Sequence, residues 1–376
     1  MGLSKYREEF PVTKRSVFLD NAAVAPISLR VKRHMDVWAT DALEVARPAV
    51  NKWYASVERA RSLGARILGC DTSEVAFASS TGGALSLVAE SIDWRTMDNV
   101  VVPSNEFPAN AYPWLNLKRR GVHVKIVRPT KEGRILIDSL VAAIDKRTRV
   151  VAISWVGFNS GYRIDLARLG DECRKRGVYL VVDAIQGLGA LEFHAKEWNV
   201  TAAAADAHKW LLGPEGTALL YVSKDAMGSL HSPVAGWKSV KDSHKFMRYD
   251  FIPAENAGRF EPGSLNMCGI AGLGGALELF YEAGMDNVTA RVKELTDYLV
   301  KRLGEKGITV RSPRGADEWS GIVSFPAPGG DGPAMQKALQ AKGVICTGRA
   351  DFMRVSPHFY NDEKDINALL DALYNA

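Results

Sequence analysis

The stretch over residues 181–216 most constrains the fold of this 376-residue chain, because in it a carboxylate and a lysine each follow a predicted buried strand. The apolar run 178–182 has the composition of a buried parallel strand, and Asp183 follows it directly. The alanine run 202–205 predicts a second buried strand, and Lys209 comes shortly after it. Open α/β sheets bind ligands at the carboxyl ends of their strands, so we expect both side chains to face one crevice.

A carboxylate and a lysine in one crevice suit pyridoxal phosphate chemistry. That cofactor needs a lysine for a Schiff base and an acid that keeps its pyridine nitrogen protonated. Burial is expected to lower the pKa of Lys209, and a cationic ring favours the ionised form of Asp183. On the residues alone, an Asp183 that caps a helix and a solvated Lys209 stay open as the alternative.

The residues around this pair resemble the class V aminotransferase family, which includes cysteine desulfurases, kynureninases and isopenicillin N epimerase. The shared pattern is Asp183-Ala184-Ile185-Gln186, then His208-Lys209, then Gly213-Pro214, and the resemblance covers nearly the whole chain. It implies an α/β protein of fold type I, with a large domain on a mainly parallel seven-stranded sheet and a smaller C-terminal α/β domain. It also implies a homodimer, with Lys209 as the Schiff-base residue, Gln186 at the phenolic oxygen of the cofactor and His208 at its phosphate.

A candidate phosphate cradle lies over residues 75–90, which predict a strand, a turn of small residues and a helix. The start of a helix offers unpaired N–H groups, and glycine lets a phosphate approach closely. Thr81, Gly82 and Gly83 form this cradle, and the family places the phosphate at the same loop. A plain N-cap is the alternative.

Phe107 follows the predicted strand 100–103 and is the candidate for stacking on the pyridine ring. Packing in the core is the alternative. The desulfurase branch of the family uses histidine at this place and the kynureninase branch uses phenylalanine, so Phe107 points away from typical desulfurases.

Three further residues are implied by the resemblance. Residues 353–361 resemble the family segment whose arginine binds the α-carboxylate of the substrate, and the planar guanidinium of Arg354 suits that group. Residues 17–26 resemble a stretch at the substrate end of the site, so Asn21 is a candidate substrate contact, with a simple chain turn as the alternative. Residues 259–266 resemble an element that reaches the partner's phosphate across the dimer, which implies cofactor binding by Ser264.

The segment from Thr347 to Arg354 departs from the desulfurase pattern, because it lacks the nucleophilic cysteine found there in desulfurases. Persulfide chemistry of that type is therefore not expected, and Cys346 is predicted to be a small buried hydrophobe. Arg349 either meets a second acidic group on the substrate or is simply solvated.

Charge and cysteine content argue against several classes of protein. The 48 basic and 43 acidic residues leave a net charge of +5 without basic blocks, so no nucleic-acid partner is predicted. The four cysteines form no CxxC pair, which predicts no metal site and favours a reducing cytosol. No apolar run is long enough for a bilayer and no targeting signal is found, so no membrane association is expected.

The chain exceeds one typical domain. We expect an N-terminal arm over residues 1–16 that packs with the small domain, a large cofactor-binding domain over 17–255 and a small domain over 256–376. Within the small domain, the apolar runs 307–310 and 321–325 are predicted strands.

The preferred hypothesis is an aminotransferase with Lys209, Asp183 and His208 as catalytic residues. The substrate amine displaces Lys209, Arg354 holds the carboxylate, and the freed lysine removes the Cα proton as general base. A β-lyase of the C–S lyase or kynureninase type and an amino-acid epimerase are alternatives. A catalytically silent protein that binds pyridoxal phosphate is the alternative outside enzymes.

Overall fold

Strands and helices alternate through most of the chain. The computed structural model describes residues 2–247 and 249–374. The strands are β1 (Val17–Phe18), β2 (Val75–Ala78), β3 (Asn99–Pro103), β4 (His123–Val127), β5 (Thr148–Ser154), β6 (Tyr179–Asp183), β7 (Ala202–Asp206), β8 (Ala218–Val222), β9 (Val323–Pro326), β10 (Val344–Ile345), β11 (Thr347–Arg349) and β12 (Phe352–Val355). The α-helices are α1 (Leu29–Glu44), α2 (Val50–Leu68), α3 (Thr81–Ser91), α4 (Tyr112–Asn116), α5 (Ile137–Ala143), α6 (Leu166–Lys175), α7 (Lys224–Met227), α8 (Met267–Ala283), α9 (Met285–Glu305), α10 (Gly332–Ala341) and α11 (Glu363–Tyr374). Short 3-10 helices span Leu3–Glu9, Pro11–Lys14, Arg47–Ala49, Thr72–Glu74, Pro108–Asn110, Leu117–Arg120, Ala257–Phe260 and Pro328–Gly330.

The central sheet has seven strands in the order β2-β8-β7-β6-β5-β3-β4. Neighbouring strands run parallel from β7 to β4, whereas β8 is antiparallel to both β7 and β2. The predicted mainly parallel, seven-stranded sheet is therefore confirmed.

Both faces of this sheet are buried. In β5, Val151 and Ile153 belong to one core cluster, and Val150 and Ala152 belong to the cluster on the other face. This is the period-two alternation of a strand. A strand covered on both sides reads as a continuous run of valine, isoleucine and alanine, which is why the sequence pattern predicts these strands.

The carboxyl ends of β5, β6 and β7 lie along one edge of the sheet. Ser154 stands opposite Asp183 in the ladder, and Asp183 stands opposite Ala204. The connections that leave this edge carry the side chains of the candidate site, at the place where open α/β sheets bind ligands.

Helix α8 packs against α1 and α2, and small residues allow the close approach. A Cβ on Gly274 would lie 3.4 Å from the Cβ of Ala60, and one on Gly272 would lie 2.9 Å from the Cγ of Met35. Leu273 of α8 belongs to the same core cluster as Val151 and Ile153 of β5. Because α8 shares the core of the central sheet, we propose that the small domain begins after α8, rather than at residue 256 where the sequence predicts it.

A second sheet, antiparallel, has the order β11-β12-β9, with β12 in the middle. It shares a third core cluster with α9, α10 and α11. The predicted strand over 321–325 is found as β9, but the one predicted over 307–310 is wrong. Gly307 has a φ of 74°, and the N–H of Ile308 donates to the carbonyl of Leu303 at 3.0 Å, so this apolar segment closes the end of α9.

N-terminal residues cross the molecule to meet residues 344–365. Strand β1 pairs in parallel with β10. The ring of Phe10 stacks on Tyr360 with centroids 4.1 Å apart, and Arg7 Nη1 lies 2.7 Å from Asp365 Oδ2. These contacts lie where the N-terminal arm is predicted to pack, and the three-part division of the chain stays a prediction.

The described residues also have a few general properties that bear on function. Among their helices, none is both long and apolar enough to cross a membrane. In the same ranges, no group of three or more His, Cys, Asp or Glu side chains is arranged to hold a metal ion. Cys70, Cys173, Cys268 and Cys346 are free thiols.

Candidate active site

Asp183 and Lys209 lie on the connections that leave the carboxyl edge of the central sheet. Asp183 ends β6 and is 2% exposed, and its Oδ1 accepts a hydrogen bond from the N–H of Ile185 at 3.0 Å. Lys209 follows β7 and is 9% exposed. Burial raises the pKa of Asp183 to about 6 and lowers the pKa of Lys209 to about 8, and each charge opposes part of the effect of burial on the other. The structure thus brings together the acid and the amine that the sequence predicts.

The strand and helix predicted over residues 75–90 are found as β2 and α3, and the candidate cradle lies at the start of α3. Ser80 is the N-cap, and its Oγ accepts a hydrogen bond from the N–H of Gly83 at 3.1 Å. The first N–H groups of a helix have no partner within the helix, so those of Thr81 and Gly82 are available to an anion. Thr81 Oγ1 accepts from the N–H of Asp206 at 2.9 Å, which ties the helix start to the end of β7. Binding of a phosphate here stays a prediction.

The element over residues 259–266 lies beside the start of α3. Ser264, Ser79 and Gly83 line the same cavity, of about 370 Å³. The element is anchored by the buried carboxylate of Glu261, which accepts hydrogen bonds from Arg61 Nη1 at 2.7 Å and from the N–H of Phe77 at 2.8 Å. Ser264 is thus near the cradle of its own chain, and its contact with a cofactor phosphate stays a prediction.

His208 joins the end of β7 to the N-terminal loop. Its Nδ1 lies 2.8 Å from Asp206 Oδ1, although the contact is outside hydrogen-bond geometry. Its carbonyl accepts from the N–H of Ala25 at 2.8 Å. The predicted role of His208 at the phosphate stays a prediction.

The ring of Phe107 forms one wall beside the lysine. Lys209 Nζ lies 5.4 Å from the ring centroid, and the ring is 38% exposed. On another side it meets Phe158 edge to face, with centroids 5.3 Å apart. Phe107 therefore does not lie in the core, and its ring is open to the offset stacking that the sequence predicts.

Glu106 is a residue of the site that sequence reasoning missed. Its Oε1 accepts from the N–H of Ser154 at 2.8 Å, and its Oε2 accepts from Asn110 Nδ2 at 3.0 Å and from the Ser154 hydroxyl. Burial raises the pKa of Glu106 to about 7. In the sequence, the only indication of this role is that Glu106 is an acidic residue between a buried strand and Phe107.

Gln186 is held by two protein contacts. Its Nε2 donates to the carbonyl of Ala22 at 3.0 Å, and its Oε1 accepts from Trp210 Nε1 at 3.0 Å. One hydrogen on Nε2 is left for the predicted contact with the cofactor.

Asn21 is fully buried, and both ends of its amide are bonded within the protein. Its Nδ2 donates to the carbonyl of Ser356 at 2.8 Å, and its Oδ1 accepts from the hydroxyl of Tyr360 at 2.8 Å. These contacts favour the alternative in which Asn21 braces the turn. Its predicted contact with substrate gains no support from them.

Arg354 lies on the middle strand of the second sheet and is 1% exposed. Its Nη1 donates to the carbonyl of Phe158 at 2.8 Å, and its Nη2 lies 3.4 Å from Thr347 Oγ1 and 3.5 Å from Asp20 Oδ1. Its Nε is buried and has no acceptor among the described residues. Asp20, which the sequence pattern did not single out, is thus the carboxylate beside the expected anchor.

The hairpin of β11 and β12 carries no thiol. Cys346, just before it, is buried as predicted, and burial raises the pKa of its thiol to about 12. A nucleophilic thiolate is therefore not available at this position.

The central sheet and the buried acid and lysine at its carboxyl edge define a pyridoxal phosphate-dependent enzyme of fold type I. The profile of the aminotransferase class-V family matches residues 17–369. The chain therefore belongs to that family, and its enzymes depend on pyridoxal phosphate, so the predicted family and cofactor class are confirmed.

Relatives that are named for different activities resemble this chain in sequence, and a solved structure resembles it in fold. The chain is 28% identical over 406 residues to a probable cysteine desulfurase of Methanothermobacter thermautotrophicus, with 99% of this chain and 98% of the relative covered. It is 25% identical over 374 residues to a kynureninase of Geobacillus thermodenitrificans, with 94% and 86% covered. The apo structure of a cysteine desulfurase from Thermococcus onnurineus superposes with a TM-score of 0.88 at 22% identity, covering 99% of this chain and 97% of that one. The last likeness confirms the fold alone.

Proposed function

We propose that the protein acts on the Cα–H bond of an α-amino acid, and that the reaction is transamination. The observation that carries the proposal is the burial of Asp183 and Lys209 in one crevice, where the described residues form no ion pair between them. A buried charge without a partner is costly, so such a pair is kept for a ligand.

The side chains at this edge fit pyridoxal phosphate. The Asp183 carboxylate has no cation within 4.0 Å among the described residues, which leaves it for a protonated ring nitrogen. The N–H groups at the start of α3 suit a phosphate. The exposed face of Phe107 suits an aromatic ring next to Lys209.

When bound, the cofactor supplies an electron sink for the bond broken at Cα. The Asp183 carboxylate would keep the ring nitrogen of the cofactor protonated, and this positive charge is what lets the ring accept electrons. Arg354 binds the substrate α-carboxylate, with its guanidinium held in place by Phe158 and Asp20. Lys209 takes a proton from Cα and returns one, and a pKa of about 8 leaves part of it as the neutral amine near neutral pH. A single base that both takes and returns a proton meets the needs of transamination.

Loss of a β-substituent is the second candidate, because the relatives are named as a desulfurase and a kynureninase. A desulfurase mechanism through a thiolate in the β11–β12 hairpin is not proposed, since the hairpin has no cysteine and burial raises the pKa of the preceding Cys346 to about 12.

The assembly and location belong to the proposal as well. We infer a homodimer in which Ser264 of each chain serves the site of the other, as the family resemblance of residues 259–266 implies. The free thiols of all four cysteines are compatible with a reducing cytosol, which we include in the proposal.

The test combines covalent trapping with substrate turnover. The purified protein is supplied with pyridoxal phosphate, reduced with borohydride and mapped by mass spectrometry. We expect the reduced cofactor on Lys209, no covalent adduct in Lys209→Ala, and an unchanged adduct in Lys301→Ala, which removes an exposed lysine. A covalent adduct in Lys209→Ala at the wild-type yield would contradict the assignment.

Turnover then separates the reactions. Amino acids are offered in deuterium oxide with and without a keto acid, and the Cα hydrogen is followed by NMR. Amino-group exchange with the keto acid supports transamination, and release of ammonia with a keto acid supports β-elimination. Exchange of the Cα hydrogen with inversion alone indicates an epimerase. Bound cofactor with no exchange for any amino acid would indicate a silent binding protein.

A further inference from the structure

Arg349 lies on the same face of the second sheet as Arg354. In the ladder, Thr347 stands opposite Arg354 and Arg349 stands opposite Phe352. Residues two apart on a strand share a face, as do residues directly opposite each other, so the two arginines are diagonal neighbours, about 7 to 8 Å apart at the backbone.

The other face of this hairpin is closed by α10. A Cβ on Gly348 would lie 1.9 Å from the carbonyl oxygen of Gly332, so Gly348 faces that helix. Arg349, its neighbour on the strand, must therefore face away from α10 and toward the loop that follows β5.

Contacts with that loop connect Arg349 to the lysine. Its Nη1 donates to Asn159 Oδ1 at 3.2 Å, and its guanidinium lies 5.4 Å from the ring centroid of Phe158. Phe158 packs on Phe107, and Phe107 lies beside Lys209. The charges of Arg354 and Arg349 both lower the pKa of Lys209, after the larger effect of burial, so both guanidinium groups act on the same crevice.

The two arginines differ in their charge balance. Arg354 has Asp20 at 3.5 Å, whereas Arg349 has no carboxylate within 4.0 Å among residues 2–247 and 249–374. The nearest acid in sequence, Asp351, is taken by Arg311, whose Nη1 lies 2.9 Å from it. Arg349 is thus a partly buried cation that forms no ion pair among the described residues, on the face that holds the substrate anchor.

We propose that Arg349 forms a second anion-binding subsite beside Arg354, and that the substrate is an amino acid whose side chain ends in an acidic group. Planar guanidinium groups favour bidentate binding of carboxylates and related oxyanions, which gives such a pair selectivity for a substrate with two anionic ends. The substrate class rests on the function proposed above, whereas the subsite itself can be tested without turnover.

The first test is binding of unreactive acids to the holoenzyme by calorimetry. Succinate carries two carboxylates and butyrate carries one on the same carbon chain. We expect succinate to bind about 10- to 100-fold more tightly than butyrate, from one additional charge-assisted contact. Arg349→Gln is expected to abolish this ratio, and Arg349→Lys to retain part of it.

Arg174→Gln is the matched control. Arg174 also donates one hydrogen bond from Nη1 to an asparagine, Asn199 Oδ1 at 2.9 Å, but it lies on α6 outside the site. It should keep the ratio of the wild type. Equal binding of succinate and butyrate to the wild type, or an unchanged ratio in Arg349→Gln, would overturn the subsite. Thermal unfolding of each variant shows whether it is folded.

The second test is turnover of aspartate, glutamate, cysteine sulfinate and phosphoserine against alanine and leucine. We expect kcat/KM to favour at least one acidic substrate by 10-fold or more, roughly the value of one charged contact, and Arg349→Gln to remove that preference. Which acid is preferred identifies the side-chain group. Turnover of neutral amino acids alone would overturn the substrate class while the proposed function stands. No reaction with any amino acid, together with Arg349-dependent binding of succinate, would overturn the proposed function and the substrate class but not the subsite.

Discussion

Asp183 and Lys209 each act on the other's pKa from within one buried crevice. The lysine lowers the pKa of the carboxyl group and the carboxylate raises the pKa of the amine, yet burial has the larger effect on both. No hydrogen bond between the two side chains is found in the described residues. The apoprotein therefore holds two charged groups in surroundings that disfavour the charged forms, and the cost can be measured as a loss of folding stability.

Replacing Asp183 with Asn is expected to stabilise the apoprotein and weaken cofactor binding. The pKa of Asp183 is raised from 3.8 to about 6, so ionisation destabilises the fold as pH rises through that range. A difference of one pKa unit is worth about 1.4 kcal/mol, so the free energy of unfolding of Asp183→Asn at neutral pH should exceed that of the wild type by about 2 to 3 kcal/mol. Affinity for pyridoxal phosphate should fall by about 10- to 100-fold with the loss of a charged contact. Denaturant unfolding and cofactor titration measure the two effects.

Asp165→Asn is the control for this variant. Asp165 also accepts a hydrogen bond from one backbone N–H, that of Arg168 at 3.0 Å, but it is exposed at the start of α6. Its replacement should change neither quantity by more than about 0.5 kcal/mol. A destabilised Asp183→Asn apoprotein would contradict the cost assigned to the buried charge.

The rate at which pyridoxal phosphate is incorporated should follow the ionisation of Lys209. Only the neutral amine attacks the aldehyde, and burial lowers the pKa of this lysine from 10.5 to about 8. Incorporation into the apoprotein should therefore rise by about tenfold per pH unit below pH 8 and level off above it. Stopped-flow absorbance gives the profile. A rate still rising at pH 10 would show that Lys209 keeps its ordinary pKa.

Glu106→Gln should change the pH dependence of stability. The pKa of Glu106 is raised from 4.5 to about 7, so the wild type loses stability as pH rises through this window, and the glutamine variant lacks that loss. The unfolding free energy of the variant minus that of the wild type should grow by about 3 kcal/mol across the window. Urea unfolding of the apoproteins at several pH values measures the difference. A constant difference would mean that Glu106 does not titrate there.

The site was predictable from sequence where a local pattern determines it. Buried strands leave continuous apolar runs, so Asp183 and Lys209 are placed correctly by the residues that precede them. Glu106 depends on Ser154, which belongs to another strand, and Asp20 depends on Arg354, which lies on the second sheet. Such pairings come from tertiary structure and leave no periodic signal. For the same reason, the apolar segment 307–310 resembles a strand locally but serves to close α9.

Gly189→Ala should be strongly destabilising for two separable reasons. Gly189 has a φ of 101°, and a Cβ there would lie 2.3 Å from the carbonyl oxygen of Trp210, next to Lys209. Gly177 has a φ of 64° with nothing within 4 Å of its Cβ position, so Gly177→Ala isolates the conformational cost of about 1 to 2 kcal/mol. We expect the loss of stability in Gly189→Ala to exceed that in Gly177→Ala by about 2 kcal/mol or more, because the backbone at Trp210 must move to make room for the new methyl group. Equal decreases in unfolding temperature for the two variants would show that the backbone around Trp210 moves at no cost in stability.

The bonding of Asn21 to Ser356 and Tyr360 determines when the site can form during synthesis. The N-terminal loop that contacts Gln186 through Ala22 leaves the ribosome early, but Ser356 and Tyr360, which bond both ends of the Asn21 amide, are made more than 300 positions later. The central sheet can assemble while translation continues. The N-terminal wall of the crevice around Lys209 is complete only when the residues that follow β12 have emerged, so a nascent chain interrupted before that point should contain a sheet but an incompletely ordered pocket.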